Sequence, residues 1–121
     1  MVIKTKNFKI NDKNKLEVEL LHDFKPLEEY NDVVIKCEYL KNGELPRYFD
    51  IQEKTVDFVR IFKEKAKSVE GIELEDPDGK KIKCDVNTIV AMPNQTFNEI
   101  IMKTSAHLVE AYTLTAEEVK N

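Results

Sequence analysis

Two histidines and two cysteines are the side chains of this sequence best equipped for chemistry: His22, Cys37, Cys84 and His107. A zinc site needs three or four ligands converging on one point. These four lie in separate segments, so they could hold a metal only if all four segments met. Cys37 and Cys84 fall on the apolar faces of alternating stretches, where a free thiol packs as a small hydrophobe. His22 stands at a strand end beside Asp23, and His107 shares the polar strip of a helix with Lys103 and Glu110. "DPDGKK" at 76–81 alternates Asp76 and Asp78 before Gly79, but it lacks the third acidic ligand and the closing glutamate of a calcium loop. Gly43, Gly71 and Gly79 are isolated, which excludes a glycine-rich phosphate cradle. Ser68 and Ser105 lie on predicted helices, outside any nucleophile elbow. Carboxylates abound, yet no pair is set apart as acid and base. The expectation is a protein that is not an enzyme, with no cofactor and no metal.

Bulk properties narrow the partners. A 121-residue chain of 41% hydrophobic and 35% charged residues suits one globular domain, residues 1–121. Its net charge of −4 argues against nucleic acid as the main partner. Lys4, Lys6, Lys9, Lys13 and Lys15 crowd the first fifteen residues against Asp12 alone, and read as a solvated strand face. No apolar run approaches the roughly 20 residues of a membrane span, and "MVIKTKNFKI" has no secretory stretch. A cytoplasmic chain with no membrane partner is expected, and therefore no Cys37–Cys84 disulfide.

The elements that must position these residues follow from periodicity and turn chemistry. "NFKI" and "KLEVEL" alternate around a turn at 11–14. "HDFKPLEEYND" reads as an irregular crossing, with Phe24, Leu27 and Tyr30 sealing an edge of the core. Asn42-Gly43 predicts a hairpin between "VVIKCEYL" and "LPRYFDI", with Pro46 confining the second strand to its start or to a sheet edge. Asp50 and Glu53 at capping-box spacing predict a helix that runs to a left-handed stop at Gly71. "GIELEDPDGKKIKCDV" predicts a second hairpin, turned by "DPDG". "NTIVAMP" holds a short helical turn, and a last helix runs from Asn94 or Thr96 to about Tyr112. Thr115 and Glu118 repeat the capping-box spacing, predicting a helix start within "TLTAEEVKN". The fold class expected is α+β: an antiparallel sheet of hairpins covered by two principal helices.

Those two helices carry broad apolar faces. In the first, Val56, Phe58, Val59, Ile61, Phe62, Ala66 and Val69 sweep roughly 220° at 100° per residue. In the last, Phe97, Ile100, Ile101, Met102, Leu108, Val109, Ala111 and Tyr112 sweep roughly 240°. A helix on one sheet needs little more than a 100° stripe. Packing of the helices on each other absorbs part of the excess, and cover by a second chain would absorb the rest. Phe58, Ile61, Met102 and Val109 lie farthest from each core stripe and are the candidate interface.

The stretch "FVRIFKEKAKSVEGIELEDPDGKKI", followed by "FNEIIMKTSAHLVEAYTLTAEEVKN" with its close Leu-Thr-x-Glu-Glu-x-Lys-Asn, resembles small accessory proteins of bacteriophage and prophage tail modules, a group that includes tail assembly chaperones. The likeness covers about residues 50–121, while the strand-rich first fifty depart from the more helical chaperones. The resemblance implies a non-enzymatic protein of the host cytoplasm that binds itself as a homo-oligomer, or a phage tail protein such as the tape measure, during tail building. In that group a longer product is sometimes made by frameshifting, and a helix start at 115–118 would suit such an extension. A structural head–tail or tail subunit retained in the particle, and a small ligand-binding domain or enzyme, are the alternatives.

Overall fold

The computed structural model of this chain describes residues 1–5, 20–114 and 116–119. Its central sheet is antiparallel, with strands in the order β2 (Leu21–Phe24), β3 (Val34–Glu38), β6 (Ala66–Glu70). The middle strand β3 shows why alternation matters: Ile35 and Cys37 are fully buried while Lys36 between them faces water. Three helices complete the core: α1 (Phe58–Lys65), α2 (Val86–Ala91) and α3 (Gln95–Leu114). They pack on one another, and α1 and α2 also reach β6. Phe62, Ile35, Ile61, Ile89, Ile100 and Leu108 are fully enclosed where these layers meet. Two-stranded ladders lie outside this core: β1 (Val2–Thr5) with β9 (Ala116–Val119), β4 (Phe49–Asp50) with β5 (Thr55–Val56), and β7 (Glu73–Glu75) with β8 (Lys81–Lys83). The fold is α+β, as expected.

Short polar side chains start the helices. Asp57 accepts from the Arg60 N–H at 3.1 Å, Asp85 from the Thr88 N–H at 2.8 Å, and Asn94 from the Phe97 N–H at 3.1 Å. The "DPDG" turn closes through Gly79 N–H to the Asp76 carbonyl at 2.9 Å and joins β7 to β8, as its turn residues predict.

The helix expected from Asp50 to Gly71 is divided. The Asp50 carboxylate accepts from the N–H groups of Gln52 and Glu53 at 2.9 and 3.1 Å, which closes a hairpin turn instead of opening a helix. At Ala66 the backbone becomes extended (φ −77°, ψ 125°) and continues as β6, paired with β3. Val56, Ala66 and Val69 therefore lie on strands, and the 220° apolar arc was partly a strand face wrapped onto a helical wheel. Gly71 has φ +86°, but it follows a strand; a Cβ there would meet the Asp32 carbonyl oxygen at 2.0 Å.

Other departures follow the same logic. Asn42-Gly43 does form a turn, with Glu44 N–H bonded to the Lys41 carbonyl at 3.0 Å, but no hairpin results. Leu45–Tyr48 coil into a 3₁₀ turn with Pro46 in its first positions, and β3 takes β2 and β6 as partners. The stretch expected as an irregular crossing begins as strand β2; Leu27 is buried, whereas Tyr30 is exposed. Ala116–Val119 form no helix start: they pair antiparallel with Val2–Thr5, since so short a segment gains more from a ladder than from an isolated turn. Thr115 and the strands expected within 6–19 lie outside the described residues.

Candidate functional site

Of the four interface candidates, the fold leaves one well exposed. Ile61 has 0% exposure and belongs to the core, so it can meet a partner only if α1 leaves its place. Phe58 and Val109 are half-buried against the same core, and the Phe58 carbonyl accepts a 2.7 Å bond from the Ser105 hydroxyl, tying α1 to α3. Met102 is 41% exposed. Most of the remaining arc on α3 (Phe97, Ile100, Ile101, Leu108, Ala111) is buried, with α1 and α2 packed against the helix. Mutual packing thus accounts for most of the breadth that the sequence reading found excessive.

Exposed large hydrophobic side chains are scattered over the surface, Tyr30, Val59 and Ile82 among them, and two lie together on the β4–β5 hairpin. Ile51, in the turn, is 80% exposed, and Phe49 beside it is 42% exposed. Together with Arg47, Tyr48, Asp57 and Arg60 they line an open depression of about 410 Å³. The hairpin stands on a rigid mount. The Asp57 N–H bonds the Tyr48 carbonyl at 2.7 Å, and the Arg60 guanidinium bonds the Arg47 carbonyl at 2.9 Å while lying 5.3 Å from the Tyr48 ring centroid. Burial, reinforced by a hydrogen bond to Glu64, pushes the Tyr48 hydroxyl up to about 12, so it remains a neutral donor. Nearby, Lys65 is buried at the end of α1 and pairs with Glu44 at 2.7 Å. Burial alone would raise the Glu44 carboxyl, but hydrogen bonds from Lys65 and the Lys41 N–H, with the charges of both lysines, hold it below its ordinary value. The spacing of Asp50 and Glu53 fits a helix cap equally well, and that hides the hairpin in the sequence. The same Asp50 read as the first residue of a side-chain-closed turn would have put Ile51 at an exposed tip.

The histidines form the second cluster. His107, expected in water, is half-buried, and its Nε2 lies 2.7 Å from Nε2 of His22. The Cys37 Sγ is 3.6 Å from the same His22 nitrogen, and His22 Nδ1 is 3.1 Å from the Leu20 carbonyl oxygen. Tyr39 stacks on His22 at 3.6 Å and Phe24 on His107 at 4.2 Å. With Nε2 atoms 2.7 Å apart and ring centroids 5.0 Å apart, the two imidazoles meet nearly head-on, which is the geometry of a hydrogen bond. A shared metal at about 2.0 Å from each nitrogen would need them farther apart, and among the described residues no three His, Cys, Asp or Glu side chains are placed to hold a metal together. Cys84 lies apart from this cluster, its Sγ directed to the Asp85 carbonyl at 3.7 Å. Burial, helped by the Asp23 charge, pushes the Cys37 thiol up to about 12, so it is held in the neutral form. Both cysteines are free and buried, as expected of core thiols.

Among the described residues no helix is long and apolar enough to cross a membrane. No family model, curated protein or solved structure matches this chain.

Proposed function

We propose that this chain is a non-enzymatic protein-interaction domain that acts in phage or prophage tail assembly in the host cytoplasm. It binds a tail protein such as the tape measure, or another copy of itself, through apolar surface that its own fold leaves uncovered. The observation that carries this reading is the pairing of Ile51 and Phe49, both exposed, on a hairpin held firmly by Arg60, Tyr48 and Asp57. Single exposed hydrophobes are ordinary; two beside a shared depression on a fixed mount favour a contact site. Fully covering such side chains is worth about 1.5–3 kcal/mol each before association costs. Arg47 and Arg60 on one hand and Asp50 and Asp57 on the other give the depression a mixed polar border around its apolar residues. The tail-module assignment adds the resemblance of residues 50–121, including the phrase around Leu114–Asn121. Met102, exposed on α3, is a second contact point.

Co-expression with the tape-measure protein of the same gene module tests this directly. The wild-type chain should keep that protein soluble, and Ile51→Asp should not. Equal aggregation with and without the chain would refute the reading. Recovery of the chain from purified particles would replace the chaperone role by that of a retained structural subunit.

A further inference from the structure

We propose that His22 and His107 form a proton-operated clasp between the sheet and α3, which accepts one proton intact and parts on accepting a second. The inference is independent of the hairpin and of the tail-assembly reading, and it follows from counting hydrogens.

The Leu20 carbonyl oxygen can only accept, so His22 Nδ1, 3.1 Å away, carries a hydrogen. In the neutral ring the Nε2 of His22 is then a bare lone pair. It faces His107 Nε2 at 2.7 Å, so His107 must donate from that nitrogen. Room exists for one hydrogen between the two nitrogens. A first added proton goes to His107 Nδ1; the bridging hydrogen can then sit on either ring, and the charge is shared without loss of the bond. A second added proton sets N–H against N–H at 2.7 Å, and the rings must separate. Parting would also strain the stacking of Phe24 on His107, which joins β2 to α3.

Titratable and charged groups near the pair lie on three elements. From β2, Asp23 is the acid whose field favours a cation on His22. From β3, Cys37 stays a neutral thiol, and beyond it burial raises the Tyr39 hydroxyl, which also stays neutral. On α3, Lys103 and Glu110 flank His107 one turn to either side. Burial lowers both histidines, and with the neighbouring His22 it takes His107 to about 4. A histidine lowered in the fold binds fewer protons than in the unfolded chain. The stability it supplies is therefore present above the unfolded value of 6.5 and lost as pH falls toward about 4.

Imidazole nitrogen NMR on the full chain, labelled at histidine, is the test. At pH 8 it should show His22 protonated on Nδ1 and His107 on Nε2, and on acidification one proton should be taken up before contact between the rings is lost. His22 protonated on Nε2 instead, or ring contact surviving two added protons, would overturn the proposal. Urea unfolding of wild type and His107→Gln gives a second readout. Between pH 7 and 4.5 the wild-type folding constant should fall about 60-fold more than that of the variant, the factor expected for a histidine lowered from 6.5 to about 4. Parallel losses would refute the clasp. Should the variant not fold, the nitrogen spectra of the wild type decide alone.

Discussion

Along α1 and α3, Ile61, Phe62, Ile100 and Leu108 lose all contact with water, because each helix is enclosed by a second helix and, through α1 and α2, by the sheet. On the β4–β5 hairpin, Phe49 and Ile51 are no less apolar, yet they stand in solvent because a two-stranded ladder has no layer of its own to close over them. The difference shows that breadth of apolar character along an element is a weak guide to an interface. What matters is whether the fold supplies a second layer. Where it does, apolar residues stabilise the monomer; where it does not, they remain exposed, and it is these that the proposed function assigns to a partner.

Substitutions in the two regions should therefore have opposite signatures. The largest effect is expected at Phe62→Ala, which removes a fully buried ring where α1 meets the core: a loss of about 3–4 kcal/mol in urea unfolding, with association of the folded fraction unchanged. Next comes Glu44→Ala, which strands the buried Lys65 ammonium and should cost about 3 kcal/mol, whereas Glu44→Leu with Lys65→Met should recover most of it. The same pair has an acid signature. Glu44 is held below its ordinary value of 4.5, so its contribution is complete above that value and is lost as pH falls through the folded one. Glu44→Gln should abolish that part of the acid sensitivity in pH-dependent unfolding. At the hairpin, Ile51→Asp with Phe49→Ser should change stability by no more than about 0.5 kcal/mol while removing association. Met102→Gln should be smallest on both counts: stability within about 0.5 kcal/mol and only partial loss of binding.

Some of this was readable from the sequence, and the reasons it was are specific. The long α3 with its Asn94 cap repeats one helical period over many turns, and "DPDG" has a turn chemistry that leaves few alternatives. Cys37 lies buried because its stretch alternates, whereas Cys84 is buried just past β8, whose Ile82 stands exposed against the alternation. The end of α1 was not readable: "KAKSVE" contains no glycine or proline, and Ala66 turns extended because β3 offers it a ladder, a tertiary effect. The histidine pair joins positions 85 residues apart, beyond the reach of any local pattern. The exposed hairpin was hidden by an ambiguity in Asp50, whose side chain closes a turn with the same N–H groups that a helix start would present.

The proposal that the β4–β5 hairpin is the binding surface is tested most directly by light scattering of the purified chain, alone and with the tape-measure protein that the proposed function makes its partner, beside the Phe49→Ser/Ile51→Asp variant. The wild type should give a molar mass above the 14.1 kDa of one chain in at least one of these samples, and the variant should stay at 14.1 kDa in both. A wild type that remains at 14.1 kDa in both, or a variant that assembles as the wild type does, would contradict it.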